Sequence, residues 1–208
     1  MFVALERLLV KVRQPAARAD QLIELRRRVR AERACVPDDE ERELAVELRA
    51  RKLEVAAELD AVTSCSSCGL GMPRPFGHHA GGACCSGVTA NVFDDSEVAS
   101  LVHAGTSPRH LTPPARTNEP AGCAFRGAGG CSLAVAHRPA RCVHFTCGTL
   151  RRELHARGRL DAIETKLDAL DHAMRRFAAV HRARADRDVV TSIVDAVTAS
   201  PARRPRSP

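Results

Sequence analysis

Residues 160–177 read LDAIETKLDALDHAMRRF, and the apolar side chains in that stretch, Leu160, Ile163, Leu167, Leu170, Met174 and Phe177, step by three and four. That spacing lays them along one side of an α-helix and leaves the charged residues on the other. The stripe runs for under three heptads, so an antiparallel partner within the same chain is as reasonable as a dimeric coiled coil, and we take the partner to be internal. Residues 37–62 supply it: Leu44, Leu48, Val55, Leu59 and Val62 also recur at helical spacing, with Glu and Arg filling the remaining faces. A helical hairpin made by residues 37–62 and 159–182 is therefore expected, and the fold class is mainly α.

Local signals mark where these helices begin. Pro37, followed by Asp38, Asp39, Glu40 and Glu41, reads as a helix start, because proline sacrifices no hydrogen bond in the first turn and carboxylates favour the positive end of the helix dipole. Upstream, residues 2–13 and 19–34 have helical periodicity, interrupted at Pro15, with Leu22, Leu25 and Val29 on one face of the second piece. Asp94-Asp95-Ser96-Glu97 opens a short helix through Val98, Leu101 and Val102. Val189 to Val194 is expected to form a separate short helix before Pro201, and the basic tail after it to be disordered.

Between the helical segments the composition changes. Eight of the nine cysteines lie between Cys65 and Cys147, at Cys65, Cys68, Cys84, Cys85, Cys123, Cys131, Cys142 and Cys147. Only fourteen of the 83 residues in this window are Leu, Ile, Val or Phe, below the roughly one-fifth at which a globular segment builds its own core. Some other staple is expected, and metal thiolates or disulfides are the two available to so loop-rich a unit. The chain thus divides into an N-terminal helical arm (1–62), a cysteine-cluster metal-binding domain (63–148), a C-terminal helical arm (149–199) and a basic tail (200–208).

Cys65-x2-Cys68 is a chelating pair, since two intervening residues let a tight turn aim both sulfurs at one ion. Cys84-Cys85 places adjacent side chains that diverge, which suits two ions or two sides of one cluster. Cys123 and Cys131 each follow a glycine, and Cys142 and Cys147 close the series after His137-Arg138-Pro139. This order resembles the YkgJ-type cysteine-cluster family, whose pattern is CxxC, a CC pair, separated cysteines and an RPxxC segment with a closing Cys. The resemblance covers residues 65–147 and implies that the eight cysteines bind zinc or iron; it implies no particular reaction or substrate. One departure is that fifteen residues, Gly69 to Ala83, separate CxxC from CC where the family has two, and they bring His78 and His79 as possible substitute ligands. Four sulfurs suit tetrahedral zinc and an iron–sulfur cluster alike, so both remain open. Phe125 and Phe145 are expected to cover the sulfurs with apolar surface, and Arg138 to donate to thiolates or loop carbonyls.

The charges at Glu6 and Arg7 interrupt any secretory core, no apolar run reaches membrane-spanning length, and a cytosolic setting is expected. There thiols stay reduced, which favours metal over disulfides. The formal charge is +7, but 29 of the 32 cationic residues are Arg, and ionised thiols would offset part of it, so nucleic-acid binding is not expected. No phosphate loop, nucleophile elbow or dinucleotide glycine motif is present, and nothing points to an enzyme. The readings carried forward are a metal-binding protein with a structural or metal-handling role, an iron–sulfur redox protein or enzyme accessory, and a zinc-folded adaptor whose arms recruit a protein. Cys35, alone between two helices, is read as a thiol without a ligand role.

Overall fold

The computed structural model describes residues 16–60, 62, 88–115, 122–127 and 130–198. Among them are seven α-helices: α1 (Ala16–Glu32), α2 (Asp39–Leu59), α3 (Thr89–Val92), α4 (Asp95–His103), α5 (Ala140–His144), α6 (Gly148–Ala156) and α7 (Leu160–Thr198). A two-residue antiparallel hairpin, β1 (Arg126–Gly127) and β2 (Gly130–Cys131), pairs Arg126 with Cys131.

The expected hairpin is the pairing of α2 with α7. Ile163, Leu167, Leu170 and Phe177 are buried with Leu44, Leu48 and Val55, while Leu160, Met174, Leu59 and Val62 pack around them. Ion pairs along its flank give the direction: Glu58 meets Arg159 and Lys166, Glu47 meets Arg176, Glu41 meets Arg184, and Asp38 meets Arg187. Rising numbers on one helix meet falling numbers on the other, so the helices are antiparallel. Each fully buried Leu, Ile or Phe here contributes on the order of 1.5–3 kcal/mol, whereas the flanking pairs set register more than stability.

Two boundaries differ from expectation. The cap of α2 is Asp38, whose carboxylate accepts from Glu41 N at 2.8 Å, so Pro37 precedes the cap instead of occupying the first turn. At the far end α7 runs unbroken through Val189–Val194, because no Gly or Pro falls between residues 160 and 198 to stop it. Val189, Val190, Ile193, Val194 and Val197 are all more than half exposed on it. The turn before α7 is a Schellman closure: Gly158, at φ +65°, lets Gly158 N reach His155 O and Arg159 N reach Leu154 O. Gly105, at φ +95°, closes α4 in the same way, with Thr106 N donating to Leu101 O. Asp94 caps α4, as its sequence indicates, by accepting from Glu97 N.

The apolar poverty of the cysteine-rich window is made good by the first arm. Leu22, Leu25 and Val29 of α1 are buried together with Val92, Phe93, Val98, Leu101, Leu111, Phe125 and Leu133. The window borrows a helix from outside its own boundaries, which a count of its own residues cannot reveal. A second cluster joins α2 and α7 to Ala99, Ala140, Val143, Leu150 and Leu154. No described helix is long and apolar enough to cross a membrane.

Candidate functional site: the cysteine loops and their mounting

Of the eight expected ligands, Cys65, Cys68, Cys84 and Cys85 lie outside the described residues, as do His78 and His79. Cys123, Cys131, Cys142 and Cys147 are described. Cys123 is buried in the α1 cluster, and Cys131 and Cys142 pack against that same cluster from two other segments. Cys147 belongs to the second cluster and stands at the N-cap of α6, where its Sγ accepts from Leu150 N at 3.5 Å. No two described cysteines lie at disulfide distance. Among the described residues, no three of these sulfurs gather within 4.8 Å of one another.

Each cysteine loop is held by a specific polar contact. Thr89 Oγ1 accepts from Ala124 N at 3.0 Å, a buried bond that fixes the backbone just after Cys123, and Thr89 N in turn donates to Gln21 of α1. Cys131 is held by the hairpin and by Ser132, whose N donates to Phe125 O and whose hydroxyl donates to Thr112 O. The Arg138–Cys142 loop is mounted on two buried charges. Lys52 Nζ, from α2, donates to Ala136 O at 3.1 Å and to Arg138 O at 2.9 Å. Glu97, from α4, accepts from Ala140 N at 2.8 Å and from Arg141 N at 3.0 Å, so its carboxylate caps α5 and complements that helix start. Arg138 Nε donates to Leu133 O, as the sequence suggests, while Arg141 turns to Asp94, Glu97 and Asn91 O. Phe125 is fully buried beneath these loops, but Phe145 is 46% exposed and covers nothing comparable.

Burial moves both mounting charges toward neutrality. It pushes the Glu97 carboxyl up, against the backbone donors of Arg141 and Ala140 and the charges of Lys52 and Arg141. It pushes Lys52 down to about 8, opposed by Glu97, reinforced by Arg49, and opposed again by the sulfur of Cys142. A thiolate at Cys142 thus favours charged Lys52. Because the folded chain releases the Lys52 proton more readily than the unfolded chain, stability from this residue rises with pH between about 8 and 10.5, by up to about 3 kcal/mol. Urea denaturation of the native sequence and of Lys52→Met across that range is expected to show the rise in the former only; parallel curves would remove Lys52 as the source.

A polar knot absent from the sequence reading lies at the other end of the bundle. Glu41, fully buried on α2, has Oε1 2.6 Å from His181 Nδ1 and 3.6 Å from His103 Nε2, and its Oε2 accepts from Arg184 Nε at 2.5 Å. Glu32 Oε1 lies 3.0 Å from His103 Nε2. The signal was present: Glu32 continues the Leu22–Leu25–Val29 stripe, Glu41 precedes Leu44 on its stripe, and His181 and Arg184 extend the seam beyond Phe177. Lys52 likewise falls between Leu48 and Val55. A charge on an apolar stripe is the pattern that announces a buried polar contact.

The class that fold and site define is a helical protein with cysteine-bearing loops, one of which is mounted on two buried charges. No family model matches the chain, and no curated protein or solved structure matches it.

Proposed function

We propose that this chain is a cytosolic metal-binding protein in which Cys65, Cys68, Cys84, Cys85, Cys123, Cys131, Cys142 and Cys147 hold zinc or iron, in a structural or metal-handling role of the YkgJ type. What supports the reading most is that Cys123, Cys131 and Cys142, drawn from three separate segments, meet one apolar cluster, on loops whose backbone polar groups are fixed by Thr89, Lys52 and Glu97. A thiolate metal centre needs such fixed loops, a cation nearby and apolar cover that limits water. The remaining five cysteines complete the donor set in this reading.

The test is metal analysis of full-length protein purified anaerobically without chelators. At least one zinc or iron per chain is expected, bound by sulfur. Iron with visible charge-transfer absorption and reversible reduction assigns an iron–sulfur redox role; colourless zinc assigns a structural or handling role. Folded protein empty of transition metal sinks the proposal. An adaptor role is the second reading, and the exposed apolar face Val189, Val190, Ile193, Val194 and Val197 favours it. There the metal folds the cysteine segment and the C-terminal arm meets a protein partner.

A further inference from the structure

We propose that Glu32, His103 and His181 form a metal site of their own, with nitrogen and oxygen donors, that takes a divalent first-row ion such as zinc independently of the cysteines. One ligand atom from each of the three lies within 4.8 Å of the other two. They come from α1, α4 and α7, elements brought together only by the fold. The His103 Nε2 to Glu32 Oε1 separation of 3.0 Å is close to the spacing of about 3.3 Å between ligands of a tetrahedral ion with bonds near 2.0–2.1 Å.

The state of His103 points to a ligand rather than to a finished ion-pair network. Its side chain is 2% exposed, and Nε2, although 3.0 Å from Glu32 Oε1 and close enough to hold that carboxyl below its usual range, meets no acceptor in hydrogen-bond geometry. A buried ring nitrogen that has carboxylates beside it but no hydrogen bond is under-satisfied, and an ion bound in the ring plane would satisfy it. Two imidazoles and one carboxylate are a donor set suited to zinc or iron(II), whereas the soft sulfurs form a different one. Glu41, bonded to His181 Nδ1, orients that ring as carboxylates commonly do behind metal-bound histidine.

Arg184 is the competitor. Besides its bond to Glu41, its Nη2 lies 3.4 Å from Glu32 Oε1 and 3.4 Å from His181 Nδ1, so it occupies part of the charge that an ion would neutralise. It also has an exit, because its Nη1 already contacts the exposed Asp188 at 3.1 Å. The two cases therefore separate on one substitution. In a finished ion-pair knot, Arg184→Gln strands Glu41 and metal does not help. In a metal site, the same change raises the affinity for zinc, and zinc raises the melting temperature.

The experiment uses full-length protein as purified, titrated with cobalt(II) as a coloured stand-in for zinc, followed by zinc competition. Uptake with weak visible bands and no new sulfur charge-transfer absorption is expected, abolished in His181→Ala and weakened at least about 100-fold in Glu32→Gln, since even outer partners of metal ligands cost 10–100-fold. Arg184→Gln is expected to bind more tightly than the native sequence. Should His181→Ala fail to fold, the half-buried and nearly isosteric Glu32→Gln decides. Uptake unchanged in Glu32→Gln, or none without sulfur absorption, overturns this site. Absence of sulfur-bound metal instead overturns the cysteine reading and leaves this result standing.

Discussion

Glu97→Ala is expected to destabilise the fold by about 3 kcal/mol and to loosen the segment that carries Cys142. The carboxylate is nearly inaccessible and accepts two backbone hydrogen bonds, from Ala140 and Arg141, at the start of α5. Hydrogen bonds to a charged partner contribute on the order of 1.5–3 kcal/mol each, and a buried donor left without a partner costs more than the bond was worth. Alanine strands the Ala140 donor, removes the cap and takes away the anion that helps keep Lys52 charged. Glu97→Gln retains one acceptor oxygen and should lose roughly half as much. Urea titration would show a lower midpoint for both variants with an unchanged slope. If the sulfurs hold metal, retention should fall by about 10–100-fold as well, because the loop behind a ligand has moved. A Glu97→Ala chain as stable as the native one would mean that α5 does not depend on this carboxylate.

The helices were legible because a 3.6-residue period leaves its mark within each segment. Leu160 to Phe177 on α7 and Leu44 to Val55 on α2 specify buried faces without knowledge of the partner, and a hairpin is the simplest way to cover both. The union of α1 with residues 92–133 leaves no such mark, since Leu22 and Phe125 share one cluster across a hundred residues of intervening chain. The buried charges were half legible. Their positions on apolar stripes were visible at Glu32, Glu41, Lys52 and His181, but which of them meet depends on how four helices assemble. In the sequence Glu97 belongs to one helix start, and in the fold it is also the cap of another helix 43 residues away. The cysteines show the reverse case: the chemistry expected of them comes from the sequence, and the meeting of Cys123, Cys131 and Cys142 at the α1 cluster comes only from the fold.

Cys142 offers the sharpest separation between a ligand and a small apolar filler. It packs against the α1 cluster, so Cys142→Ser replaces a weakly polar thiol with a hydroxyl and carries a packing cost of about 1 kcal/mol whatever the sulfur does. Cys142→Ala avoids that cost and keeps the apolar character. As a filler, alanine should therefore be milder than serine. As a ligand, alanine and serine should be equally damaging, because both remove the thiolate, and structural zinc in small cysteine sites contributes on the order of 10 kcal/mol to folding. We expect the second pattern: both variants lose sulfur-bound metal, seen as the loss of thiolate charge-transfer absorption in cobalt-exchanged protein, and both melt without the native cooperativity. That readout excludes any ion held by Glu32, His103 and His181, which brings no sulfur. Cys35→Ser is the internal reference. Its side chain is exposed at the end of α1, with only a long contact of 3.7 Å from Sγ to Ala31 O, and the substitution should change neither property. Equal losses from Cys35→Ser and Cys142→Ser, or a Cys142→Ala chain that keeps its metal, would return these sulfurs to the apolar core as ordinary buried thiols.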